Sequence, residues 1–177
     1  FKQMTHHLIA LNMNFLAQME NVLLIRDPRL IIASYAKVIP NPSMQDVGVE
    51  QQYELMQHLQ SIGKLTAVVD AVTLLKNPRN ILMQLCEKLD ISFQEQMLSW
   101  QAGARKEDGI WAKYWYSNVH QSTGFQPYVE KEVKLSKELE VLVMKCQLYY
   151  EKLLEQALKL SDTNCNLKGH PIDFEKA

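Results

Sequence analysis

In the run NVLLIRDPRLIIASY, Arg26 closes a short apolar segment and Ser34 follows eight residues later. A guanidinium and a hydroxyl so spaced can grip a tetrahedral anion from two directions, the arginine supplying a planar fork of donors that matches a phosphate. If the apolar run is a strand of an open α/β sheet, Arg26 stands at its carboxyl end, where such sheets bind ligands. The helix that follows would add its N-terminal N–H groups and its dipole, both of which favour an anion. Lys37, three residues past Ser34, lies on a neighbouring face of that helix. The same residues also allow a structural reading. In it Arg26 pairs with Asp27 or another carboxylate, and the Ser34 hydroxyl bonds back to a helical carbonyl.

The elements that must hold these residues can be read from the pattern around them. NVLLIRD is a continuous apolar run of strand length, which predicts a parallel strand covered on both faces. Asp27 is a helix cap and Pro28 suits the first helical position, where a missing N–H costs nothing. The apolar spread predicts a buried helix from there to about Ile39, stopped by IPNPS. Asp46 opens a further helix carrying Val49, Tyr53, Met56 and Leu59 inward, and Gly63 ends it. LTAVVD, Leu65 to Asp70, reads as a second buried strand, and Asn77-Pro78 restarts a helix with Ile81, Leu82, Leu85 and Leu89 inward. From Gln101 to Gln126 there is no clear period, as in a functional loop or lid. Leu135, Leu139, Leu142, Cys146, Tyr149, Leu153 and Ala157 then mark one long amphipathic helix. The class is therefore α/β with a parallel sheet. Residues 1–160 form one domain and 161–177 a polar C-terminal tail.

Composition bounds the function. The chain has 177 residues, 47% of them hydrophobic, enough for one domain with a core. A net charge of -1 gives no field that would draw it to nucleic acid or to an anionic membrane. No apolar run approaches the roughly 20 residues that span a bilayer. Cys86, Cys146 and Cys165 are scattered without zinc-ligand spacing, so no metal is expected, and buried thiols fit a reducing, cytoplasmic setting. The chain opens at Phe1 with FKQMTHHL and reads as if cut from a longer protein.

LLIRDPRLIIASY resembles the 3′-phosphate-binding motif of sulfotransferases that use 3′-phosphoadenosine 5′-phosphosulfate (PAPS). That motif has an Arg at a strand end, Asn/Asp-Pro after it, and a Ser eight residues on; Arg26 and Ser34 match in identity and spacing. LLKNPRNILMQLCEKLDISF is similar to a second family segment, and ARKEDGIW resembles the family's late nucleotide-binding loop. The resemblance runs from here into the C-terminal helix and is nearest to sulfotransferase-like proteins of bacteria and plants, some fused to or named after aminotransferases. It implies a helix-rich three-layer fold of the P-loop NTPase kind, PAPS as sulfuryl donor and a small-molecule acceptor. By the same match Arg26, Ser34, Arg105 and Lys106 bind the nucleotide, and Trp111 packs the late loop. A fused or upstream domain is a further expectation. The chain departs from the family in two places. Glu107 and Ile110 replace a glycine and an aspartate of the late loop, and no glycine-rich phosphosulfate loop occurs among Gly48, Gly63, Gly103, Gly109, Gly124 and Gly169. The fold is therefore expected to be N-terminally incomplete.

Sulfuryl transfer needs an acceptor deprotonated as it attacks, a task suited to histidine. In many relatives a Lys and a His precede the motif arginine by about twenty residues, the stretch that Lys2, His6 and His7 occupy here. His6 is the catalytic candidate, against the reading that it is an exposed surface histidine; His120 is a second candidate on the irregular stretch. Trp111, Tyr114, Trp115 and Tyr116 either pack that stretch or wall an acceptor pocket. Three functions follow in order: a PAPS-dependent sulfotransferase, a non-catalytic phosphonucleotide-binding or interaction module of the same fold, and a P-loop kinase-like phosphotransferase. Only Asp70 offers the last a magnesium carboxylate.

Overall fold

Alternating burial along the first strand fixes how the layers stack. In the computed structural model, which describes residues 4–5, 12–110 and 112–161 and only the backbone of Tyr114 and Trp115, strand β1 spans Asn21–Ile25 and β2 spans Leu65–Asp70. They pair in parallel, Leu23 beside Val68 and Ile25 beside Asp70. On one face, α1 (Pro28–Tyr35), α3 (Val49–Ser61) and α8 (Lys137–Glu155) enclose Leu23, Ile25 and Val68 with Ile32, Met56, Leu59, Cys146 and Leu153. On the other, Ala67 and Val69 meet Ile81 of α5 (Pro78–Lys88) and Leu158. Helices thus cover both faces of β2, the expected three-layer α/β arrangement. Each fully buried side chain such as Ile25 or Leu153 contributes about 1.5–3 kcal/mol through the water it sheds.

The expectation for β1 itself needs correction. Its second face is open, with Val22 37% and Leu24 59% exposed, because the layer built from α5 stops at β2. β2 is bordered instead by the chain leaving α8: Ala157 bridges Val68, and the Leu158 N–H donates to the Val68 carbonyl at 2.9 Å.

Local signals were followed closely at helix starts. The Asp27 carboxylate accepts the Arg29 N–H at 2.8 Å and Asn77 accepts the Asn80 N–H at 3.1 Å, each just before a proline in the first turn. α1, however, ends at Tyr35, short of Ile39. The N–H groups of Val38 and Ile39 both fold onto the Tyr35 carbonyl, and Asn41 takes a φ of 53°. Val38 is 65% exposed, so no core contact rewards a longer helix, and the expectation of an all-round buried segment fails there. Asp46 does not open a helix. Ser43 caps α2 (Met44–Val47), and Asp46 closes a reciprocal capping box on Ser43. Gly48, at φ 72°, then separates α2 from α3. A helix absent from the sequence reading, α4 (Ala71–Lys76), follows β2 directly with Asp70 as its cap. The long C-terminal helix forms, with Val143, Cys146, Tyr150 and Leu153 buried along one face; of the expected inward positions, Leu139, Leu142 and Tyr149 are half-buried, and Leu135 and Ala157 fall outside the helix.

Candidate functional site

Arg26 follows the last residue of β1 and is exposed. Among the described residues it makes no hydrogen bond and no ion pair. Asp27, its nearest carboxylate in sequence, is spent on the α1 cap. Ser34, exposed in the last turn of α1, likewise has a hydroxyl without a hydrogen bond among the described residues. Both alternatives that would have made these two side chains structural are therefore unrealised among those residues. Ser34 sits about 9 Å along the helix axis from Pro28, at 1.5 Å per residue.

The start of α1 differs from the expected anion-binding helix end. Pro28 has no N–H, the Arg29 N–H points to the Asp27 carboxylate, and those of Leu30 and Ile31 point to the Asp27 carbonyl at 3.1 and 3.2 Å. Asp27 also sets a negative charge at the positive end of the helix dipole. An anion held here would rely on side-chain donors rather than on these backbone N–H groups. Arg29, which the motif does not single out, is paired: its guanidinium takes the Glu140 carboxylate of α8 in a two-point contact of 2.7 and 2.6 Å. That bond holds Glu140 below the ordinary carboxylate range.

The two ends of the irregular stretch are tied together between Ser99 and Phe125. Ser99 bridges Gly124, the Trp100 indole donates to Ser122 at 3.0 Å, and its ring meets Phe125 edge-on at 5.4 Å. The described residues of this stretch include the short helices α6 (Ala112–Trp115) and α7 (Ser117–Gln121). Arg105 and Lys106 share an exposed turn in this loop, and an Arg105 terminal nitrogen donates to the Gln101 carbonyl at 3.0 Å. His120, on α7, has its Nε2 2.8 Å from the Asp108 carboxylate. The structure places Arg26 just before α1, Ser34 in its last turn, and Arg105 with Lys106 in a turn of the late loop; no hydrogen bond or ion pair among the described residues joins Arg26 or Ser34 to that turn. His6, with Lys2 and His7, lies outside the described residues, as do Trp111, Cys165 and the side chains of Tyr114 and Trp115.

One participant went unrecognised in the sequence, and one candidate proves to be structural. Asp108 organises the late turn, and the only signal for it is the Asp-Gly pair, ordinary turn chemistry. Asp70, considered above as a metal carboxylate, is buried and committed: Oδ2 accepts from the Thr73 N–H and hydroxyl at 2.8 and 2.9 Å, and Oδ1 accepts from the Tyr150 hydroxyl at 2.9 Å.

A family model described as a sulfotransferase domain matches residues 1–150. Among curated proteins, the chain is 40% identical over 118 residues to the branched-chain-amino-acid aminotransferase-like protein 1 of Arabidopsis thaliana, and 36% identical over 118 residues to that plant's aminotransferase-like protein 2. Each match covers 67% of this chain but 21% of the relative, so the chain spans about a fifth of the length of these curated proteins. No solved structure matches significantly.

Proposed function

The chain belongs to the sulfotransferase-domain family, and on that footing we propose that it carries the 3′-phosphate-binding part of a protein that moves a sulfuryl group from PAPS to a hydroxyl or amine acceptor. The single observation that carries this reading is the contrast around the β1–α1 junction. Asp27 and Arg29 are committed to the fold, while Arg26 and Ser34 are exposed and free of partners among the described residues. A fork of guanidinium donors and one hydroxyl suit a dianionic phosphate, so the donor set fits the 3′-phosphate of PAPS.

When bound, PAPS supplies the sulfuryl group that the acceptor takes from the phosphate leaving group. Arg26 and Ser34 hold the nucleotide by its 3′-phosphate, and Arg105 and Lys106 add positive charge from the late loop. Their contribution is positioning and charge stabilisation, which do not require these groups to touch the reacting sulfur. His6 is the proposed base for the acceptor's proton. A cytoplasmic setting, a single domain over residues 1–160 and a fused or upstream domain belong to the same proposal. Among the described residues no helix is long and apolar enough to cross a membrane.

A phosphonucleotide-binding module without turnover is the second reading. The kinase-like reading loses its support, since the Asp70 carboxylate is already engaged by Thr73 and Tyr150. Calorimetric titration with adenosine 3′,5′-bisphosphate and with adenosine 5′-monophosphate tests the proposal. Clear preference for the bisphosphate is expected, and equal affinity or no binding by a folded chain overturns it. Sulfuryl transfer from PAPS, assayed with a panel of hydroxyl and amine acceptors, separates the enzyme from the binding module.

A further inference from the structure

Residues Arg105 to Asp108 form a turn closed at both ends. The Asp108 N–H donates to the Arg105 carbonyl at 3.2 Å, and the Asp108 carboxylate accepts the Arg105 N–H at 2.8 Å. The same oxygen, Oδ2, lies 2.8 Å from His120 Nε2. An ionised carboxylate only accepts, so Nε2 carries the hydrogen in this pair. His120 is itself anchored: its carbonyl accepts the Gly103 N–H at 2.7 Å, and its ring meets Tyr116 edge-on at 6.0 Å. Asp108 therefore fastens the tip that bears Lys106 to α7. Taken as a bare charge, a carboxylate two residues from Lys106 would weaken an anion site. Its two bonds through one oxygen give it a geometric effect on the turn beside that charge. The Arg105 N–H, first, and His120, second, also hold the Asp108 carboxyl below the ordinary carboxylate range.

We propose that Asp108, clasped by His120, is a positioning residue that fixes the Arg105–Lys106 turn in the conformation that meets the nucleotide's phosphate. The inference rests on the reading of the chain as PAPS-binding. Asp108 acts through the turn and does not itself touch the ligand.

The test is titration of adenosine 3′,5′-bisphosphate into the full chain and into Arg105→Ala, Asp108→Asn and the double variant, each checked for fold by circular dichroism. Each single change is expected to weaken binding roughly three- to tenfold, the scale of one lost charge-assisted contact. The loss in the double variant is expected to fall short of the product of the two single losses, since coupled residues are not additive. His120→Ala, which cuts the clasp from its other side, is expected to match Asp108→Asn and replaces it if that variant does not fold. A residue that only stabilises the fold would lower the melting temperature without this coupling. Losses that multiply in the double variant overturn the positioning role and leave the nucleotide reading standing, as does wild-type affinity in Arg105→Ala or Asp108→Asn. A folded wild-type chain that does not bind the bisphosphate overturns both.

Discussion

Arg29 donates from both terminal nitrogens to the Glu140 carboxylate, at 2.7 and 2.6 Å, and so joins the first turn of α1 to the first turn of α8. Three residues earlier Arg26, on the other side of the Asp27-Pro28 cap, has no such partner among the described residues. Two arginines of one short motif thus carry different duties, and substitution should separate them.

Arg26→Ala is expected to weaken adenosine 3′,5′-bisphosphate roughly tenfold or more, the scale of hydrogen bonds to a charged group, with the melting temperature unchanged. Arg29→Ala should do the reverse. Its pair is about a third exposed on each side, so the melting temperature should fall slightly, and less so in high salt. Calorimetry of binding beside thermal melts at two salt concentrations checks both. Equal loss of affinity in the two variants would refute the division.

Ser34→Ala should lower bisphosphate affinity by a smaller factor, roughly three- to tenfold, because one neutral donor is lost. Its exposed hydroxyl has no hydrogen bond among the described residues, so stability should stay within about 0.5 kcal/mol of wild type. Affinity for adenosine 5′-monophosphate should not change. A parallel drop for both nucleotides would mean that Ser34 does not read the 3′-phosphate.

Tyr150→Phe removes the donor to Asp70 Oδ1, an oxygen of a side chain only 3% exposed. An acceptor left buried without its donor costs about 1–3 kcal/mol, so denaturant unfolding should show a loss of that size. Burial and the Asp70 bond both push the Tyr150 phenol well above its ordinary range. The neutral phenol is the form the fold favours, so its contribution is lost as pH rises past the ordinary tyrosine range. A Tyr150→Phe chain as stable as wild type would show that water replaces the hydroxyl.

Cys146 is fully buried and its thiol is pushed up to about 11, by burial first and by the nearby Glu50 charge second. The raised value means that its contribution is complete below the ordinary thiol value of 9.0 and is lost as pH rises through about 11. At pH 8 a thiol reagent should therefore spare Cys146 in the native chain and label it quickly in denaturant. Peptide mapping by mass spectrometry reads the site directly; rapid native labelling would contradict the packing.

The strand LTAVVD, the Asp27-Pro28 and Asn77-Pro78 helix starts and the Gly63 stop were all legible in the sequence, because each depends on residues within a few positions of one another. The identity and spacing of Arg26 and Ser34 were legible for the same reason. What no local pattern could give was which arginine stays open. Arg29 is taken by Glu140, 111 residues away, a pairing that exists only once α1 packs beside α8. The bare face of β1 has the same origin. Val22 and Leu24 are as apolar as Leu23 and Ile25, but the helix layer that would cover them ends over β2. Asp70 became a buried, fully bonded cap when α8 brought Tyr150 across 80 residues to its carboxylate. Sequence by itself determined strands β1 and β2, the proline-marked helix starts and the donor types of this protein; packing between distant elements decided which donors were used up in holding it together and which stayed open.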